Sequence, residues 1–294
     1  VGLNGYLIHN LLGHRDLLET LGGWQLSLGN DKDFAASRVS YKLNLQGPSV
    51  AVNTACSTSL VATALGCQSL LSYQCDMVLA GGCSIHLPQD RGYLYHPGGT
   101  LSPDGHCRPF DAAAAGTIDG NGAAIVALKR LEDALDEAEA KGARCVVLMG
   151  RDGTFSAGFD LKFFATCTPE EMTGLVLRGS QLTTRLLQYP MPVIAACTGH
   201  GIAMGAFTLL SCDFRYGVDD DQYRIGANET AIKMILPVFG FELAKARLNP
   251  LEKARAIAEG HLYTPKEAVK AGFLDEVVSA DKLEETVLKR AEHL

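Results

Sequence analysis

A chain of 294 residues that is 47% hydrophobic and 20% charged can bury a core as one large domain or two modest ones. Its net charge of −7 and its lack of any Lys/Arg run exclude a nucleic-acid partner, whose phosphates need a basic face. No stretch approaches the roughly 20 apolar residues of a membrane span, and no signal peptide opens the chain.

In chain order, Ser49–Ala55 is a β-type apolar run that enters a helical pattern with Leu60, Val61, Ala64, Leu65 and Leu71 near one face. A short strand is expected over Met77–Ala80, closed by Gly81 and Gly82, then a turn-rich loop over Pro97–Gly105 and a strand over Ala123–Leu128. Lys129–Lys141 reads as a helix and Arg144–Met149 as a buried strand. Then come a loop at Asp152–Phe159, a helix around Glu170–Leu187 and a strand at Pro192–Cys197. A glycine turn with a helix over Gly199–Leu210 and a strand at Asp213–Gly217 follow, and after Pro237 the pattern is mostly helical. Short strands alternating with helices imply α/β layers with parallel strands and crossover helices.

The nine cysteines lack any Cys-x-x-Cys or paired Cys/His spacing, so no metal is expected; most are expected to be buried free thiols of a cytoplasmic protein. Cys56 differs. It lies where an apolar run meets a helix, among small neighbours, and unsatisfied N–H groups at a helix start favour a thiolate. The run GPSVAVNTACSTSL, with CQSLL, CDMVLAGG, GGTLSPDGHCRPFDAAAAGT and DGNGAAIVALKRLEDAL after it, resembles the β-ketoacyl synthase domains of modular polyketide synthases over residues 1–137. The resemblance implies a partial thiolase-like fold in which Cys56 takes an acyl chain as a thioester. That family also uses two downstream histidines to decarboxylate malonyl units. None of the eight here (9, 14, 86, 96, 106, 200, 261 and 293) has the surrounding sequence, so condensation is not expected.

Two glycine-bearing loops follow buried strands: Phe155-Ser156-Ala157-Gly158-Phe159-Asp160-Leu161 and Gly199-His200-Gly201-Ile202-Ala203-Met204-Gly205-Ala206. Small residues let backbone N–H groups of both loops point at one oxygen, as in an oxyanion hole. FSAGFDL, PVIAACTGHGIAMGAFTLLSCDFR and RIGANETAI resemble the crotonase (enoyl-CoA hydratase/isomerase) superfamily, from roughly Ala134 to Leu294. The resemblance implies a ββα spiral with a C-terminal helical region. It implies oxyanion-hole N–H groups on Phe159 and Met204, and carbonyls around Ser156 and Ala157 facing the adenine of coenzyme A. Of the two acid/base positions of the hydratases, one holds Phe207 and the other keeps Glu229; one carboxylate suffices to move a proton between C2 and C4 of an enolate. His200 is expected to be structural.

The fold expectation is therefore α/β, with a ketosynthase-like fragment over 1–137 joined to a crotonase-like domain over 138–294 that lacks its usual first strands. The junction falls inside the Lys129–Lys141 helix, and without an initiator Met at Val1 the chain is expected to be a piece of something longer. The leading functional expectation is a crotonase-type acyl-thioester enzyme, an enoyl-CoA isomerase or hydratase. The alternatives are a ketosynthase fragment acylated on Cys56 but unable to condense, and a non-catalytic fusion or chimeric product. The expected substrate carrier is coenzyme A or a carrier-protein phosphopantetheine arm, with no covalently bound cofactor, and the expected assembly is a homo-oligomer, a trimer or hexamer.

Overall fold

A computed structural model describes residues 14–22, 24, 25, 28, 31–85 and 92–294. Val1–Leu3, His9 and His86 lie outside them. The chain divides into two compact units, Val1–Asp133 and Ala134–Leu294.

The first unit holds helices α1 (Arg15–Leu21), α2 (Ala35–Leu43) and α3 (Thr58–Leu71), and strands β1 (Met77–Ser84) and β2 (Gly122–Lys129). These strands pair antiparallel, from Met77 opposite Lys129 to Ser84 opposite Gly122, so the expected parallel arrangement does not hold here. The expected stop at Gly81 and Gly82 is also corrected, since β1 runs through both. A Cβ at Gly81 would overlap the Ala124 carbonyl, so glycine permits the pairing instead of ending it. Gly66 serves α3 in the same way: a Cβ there would lie 2.8 Å from Val78 Cγ1. Arg130, just past β2, donates to the Leu70 carbonyl at 2.7 Å and the Cys75 carbonyl at 3.0 Å, fixing the turn between α3 and β1.

The strand expected over Ser49–Ala55 is absent; residues 49–54 belong to no regular element. Strand backbone needs a neighbour to satisfy its N–H and C=O groups, and the sheet of this unit contains only β1 and β2 among the described residues.

Helix α4 (Leu131–Ala140) spans the unit boundary, with Glu132 and Asp133 in its first turn, where the helix dipole favours acidic groups. The second unit then repeats two strands and a helix. Its first repeat is β3 (Val146–Met149), β4 (Gly153–Ser156), α5 (Leu161–Thr166) and α6 (Pro169–Leu187). The second is β5 (Val193–Cys197), β6 (Gly199–Ile202) and α7 (Met204–Ser211). The third is β7 (Phe214–Val218), β8 (Ile225–Gly226) and α8 (Val238–Arg247). The chain ends through α9 (Lys253–Ile257), α10 (Pro265–Ala271), β9 (Glu276–Val278) and α11 (Ala280–Glu292). First strands join the sheet β3-β5-β7-β9 and second strands the sheet β4-β6-β8, all parallel. This alternation is a ββα spiral.

Every residue of β5 is buried, which explains its unbroken apolar sequence in a parallel sheet. Helix α6 starts on a capping box, with Thr168 Oγ1 accepting from the Glu171 N–H and Glu171 accepting from the Thr168 N–H at 2.8 Å. Buried Arg215 on β7 pairs with Asp275 and donates to the Gly272 carbonyl at 2.7 Å, tying the last strand to the sheet. Two expectations are corrected: the Asp152–Phe159 loop contains β4, and the Gly199 turn is β6. Both strands are four residues long without apolar alternation, and parallel pairing alone makes them strands. Among the described residues no helix is long and apolar enough to cross a membrane.

Both units expose large apolar side chains, Ile235 and Leu251 in the second among them. In the first, Ile125 on β2 is 65% exposed and Leu60 on α3 is 72% exposed. An uncovered apolar edge strand invites association. Ile125→Lys should lower concentration-dependent light scattering of the purified chain with an unchanged far-ultraviolet spectrum; undiminished scattering would place the sticky surface elsewhere.

Candidate active site

Strands β4, β6 and β8 are parallel neighbours, so their carboxyl ends open on one edge, where parallel sheets place ligands. The segments leaving that edge carry Ser156–Phe159, Ala203–Met204 and Glu229. The topology therefore places the segments that carry the expected site residues of the second unit at one edge of that sheet.

Glycine makes the first two segments meet. A Cβ at Gly158 (φ 87°) would lie 2.9 Å from Ala203 Cβ and 3.2 Å from the Met204 nitrogen. A Cβ at Gly205 would overlap the Ser156 carbonyl, which faces the first turn of α7. The Gly158 N–H donates to Ser156 Oγ at 3.3 Å, and the Ala203 N–H to the Gly226 carbonyl at 3.0 Å, linking the second segment to β8. Ala203 holds φ 54° and ψ −120°, a conformation that strains a residue with a Cβ by about 1–3 kcal/mol. The N–H groups of Phe159 and Met204 bond to no backbone carbonyl among the described residues. Met204 opens α7, so its N–H also carries the positive end of a helix dipole, and α7 is almost wholly buried. Ala157 occupies the exposed tip of the first segment.

Glu229 leaves β8 just ahead of a 3-10 turn over Thr230–Ile232, and its carbonyl accepts from the Met234 N–H at 2.8 Å. Thr230 Oγ1 donates to the Ile257 carbonyl at 2.8 Å, anchoring this turn to the helical tail. The Glu229 side chain is only 8% exposed, and its buried Oε2 has no hydrogen-bond partner. Burial pushes its pKa above the usual carboxylate value. Desolvation of the buried carboxylate favours its protonated form.

Phe207 is 1% exposed, stacks edge-on against Phe239 at 5.6 Å, and meets Gly240, where a Cβ would lie 2.7 Å from its ring. It is a core residue. His200 Nδ1 accepts from the Arg224 N–H at 3.0 Å, and the ring lies edge-on to Tyr223 at 5.4 Å, which holds β6 to the segment entering β8. Gly179 on α6 faces the side chains of Phe159 and Met204; its only sequence signal was a glycine inside a helical pattern.

In the first unit, Cys56 is exposed in a 3-10 turn over Ala55–Ser57 that leads directly into α3. Ser57 Oγ donates to the Thr54 carbonyl at 2.8 Å and Thr58 Oγ1 to the Ala55 carbonyl at 2.8 Å, fixing the turn. Cys197 and Cys212, by contrast, are buried, and burial pushes both thiols up to about 12. No group of three or more His, Cys, Asp or Glu side chains among the described residues is placed to hold a metal.

Burial at the thiols and at Glu229 can be tested in solution. A small alkylating agent near neutral pH should label Cys56 and spare Cys197 and Cys212, as mapped by mass spectrometry; early labelling of either buried thiol contradicts the packing. For Glu229, a raised folded pKa means that the native state binds the extra proton. Its contribution to stability is thus present below the unfolded value of about 4.5 and is lost as pH rises through the folded pKa. Glu229→Gln should therefore resist urea better than wild type near neutral pH and match it near pH 4; a gap independent of pH would refute the assignment.

Comparison with known proteins separates the same two parts. The family described as Beta-ketoacyl synthase, N-terminal domain matches residues 5–134, and Enoyl-CoA hydratase/isomerase matches residues 124–294. A phenolphthiocerol/phthiocerol polyketide synthase protein of Mycobacterium tuberculosis is 55% identical over 139 residues, 45% of this chain and 9% of that protein. A second component of the same synthase in that organism is 49% identical over 107 residues, 36% of this chain and 5% of that protein. The chain thus spans less than a tenth of the length of these relatives. Among solved structures, an enoyl-CoA hydratase/isomerase family protein from Pseudomonas syringae is 41% identical with a TM-score of 0.53, covering 55% of this chain and 69% of that one. Human mitochondrial delta3-delta2-enoyl-CoA isomerase is 30% identical with a TM-score of 0.51, covering 55% of this chain and 65% of that one. Because one match takes in more than half of its length and extends over the whole ββα spiral, the chain belongs to the enoyl-CoA hydratase/isomerase family, and the segment ahead of that match is similar to the N-terminal domain of β-ketoacyl synthases.

Proposed function

We propose that the second unit isomerises an enoyl thioester, moving its double bond from C3 to C2 with Glu229 as the single acid/base. The Glu229 carboxylate takes a proton from C2 of the 3-enoyl thioester. The electrons move onto the thioester oxygen as a dienolate, which accepts from the N–H groups of Phe159 and Met204. Protonated Glu229 returns the proton at C4, and the 2-enoyl thioester forms with no net gain or loss of atoms. Donors fixed beforehand cost no reorganisation as the charge develops, and one such donor is worth about 2.7–4 kcal/mol.

The carrying observation is that Glu229 Oε2 is buried without a partner while Phe207, at the other hydratase position, is locked in the core. Hydration needs a second group to orient and split water; a shuttle between C2 and C4 needs one. The carrier is coenzyme A or a phosphopantetheine arm. Ala157, at the exposed tip, offers the better of the two expected carbonyls for adenine, since Ser156's faces Gly205. A trimeric or hexameric assembly fits the family.

The test is ultraviolet detection of the conjugated thioester formed from a 3-enoyl-CoA. Glu229→Gln should lower kcat by about 10²–10⁴-fold, and hydration of a 2-enoyl-CoA should be much slower than isomerisation in wild type. Hydration as fast as isomerisation, or an unaffected Glu229→Gln variant, refutes the proposal. In the first unit, the exposure of Cys56 favours a separate, limited role, acceptance of an acyl group as a thioester without condensation.

A further inference from the structure

Helix α6 contains two glycines, a residue that weakens a helix interior and needs a reason to stand there. They are not equivalent. A Cβ at Gly174 would meet nothing within 4 Å, whereas one at Gly179 would lie 2.7 Å from Phe159 Cζ and 3.1 Å from Met204 Sδ. Gly179 is thus a notch that receives the side chains of both residues whose N–H groups form the proposed oxyanion hole. The notch is held firmly. Fully buried Thr183, one turn on, donates its hydroxyl to the Gly179 carbonyl at 3.2 Å and the Ser180 carbonyl at 2.9 Å.

We infer that Gly179 is a positioning residue that sets the distance between the two oxyanion donors, an inference that rests on the isomerase reading above. A methyl group here must displace something. The Met204 thioether is flexible and can swing. The half-buried Phe159 ring is stiffer and packs on one side against Phe164, whose ring centre is 5.8 Å away, so the inference is that its displacement is passed on to the Phe159 backbone. The N–H of Phe159 then leaves the position where the oxyanion forms, although no group that touches substrate has been changed. A shift of about 1 Å in such a donor costs on the order of 10²-fold in rate.

The experiment uses the full chain. For wild type, Gly179→Ala and Gly174→Ala, measure kcat and KM for a 3-enoyl-CoA. Record also the infrared C=O band of a carbonyl-labelled 2-enoyl-CoA bound to each, which falls in frequency when the oxyanion donors polarise it. Gly179→Ala should lose about 10²-fold in kcat at nearly unchanged KM and lose most of the band shift, while Gly174→Ala keeps both. The double variant Gly179→Ala/Phe159→Leu, which removes the ring edge that the methyl meets, should recover at least part of the rate and the shift. It decides the matter if Gly179→Ala does not fold: recovery supports the inference and no recovery overturns it. A folded Gly179→Ala with wild-type kcat and band overturns the inference and leaves the isomerase reading standing. A wild type with neither isomerisation nor band shift overturns both.

Discussion

Two backbone N–H groups from separate loops can share one oxygen only if the chain segments carrying them approach closer than side chains allow. The close backbone approach that the proposed oxyanion hole requires is present in the second unit. A Cβ at Gly199 would overlap the Gly153 backbone, and one at Gly205 the Ser156 carbonyl, so β4 and β6 pair and exit together only because both positions lack side chains. Gly158 completes the arrangement with a φ of 87° that other residues rarely adopt. The strain at Ala203 follows from the same demand, since the chain must turn sharply from β6 into α7 to present the Met204 N–H.

Charge supplies the other half of the site. A lone carboxyl with a buried, unpartnered oxygen is an expensive group to keep, and desolvation raises its pKa. Nothing in the packing of α7 against α8 needs Glu229, whereas Phe207 is fixed there by Phe239 and Gly240. The cost of burial therefore falls on the group proposed to carry the proton, while Phe207 belongs to the core.

Much of this was legible in the sequence, for particular physical reasons. Val193–Cys197 reads as a buried strand because a parallel strand covered on both faces is continuously apolar. The glycine loops were visible because side-chain-free positions cluster where backbone must do the chemistry. β4, β6 and β8 were hidden, since two to four residues of mixed Gly, Ser, Thr and His carry no alternation and become strands only through their parallel partners. Gly179 was hidden for a related reason, because only the fold reveals what its missing side chain makes room for. Ser49–Ala55 erred the other way, its β-rich composition having no strand beside it to complete a ladder.

That last failure bears on how the two parts share the chemistry. A strand pair with one helix against it is too small to cover its apolar residues, and independent stability usually needs at least a third strand or further packing. Leu70 and Ala80 are the buried apolar side chains of the first unit among the described residues, whereas the second unit buries Ile194, Leu209, Phe273 and many more. A reactive group keeps its geometry only as well as the shell around it is packed. Glu229 and the two N–H donors have such a shell, built by α6, α7 and the helical tail. Cys56 stands exposed to solvent on a turn held mainly by Ser and Thr hydroxyls.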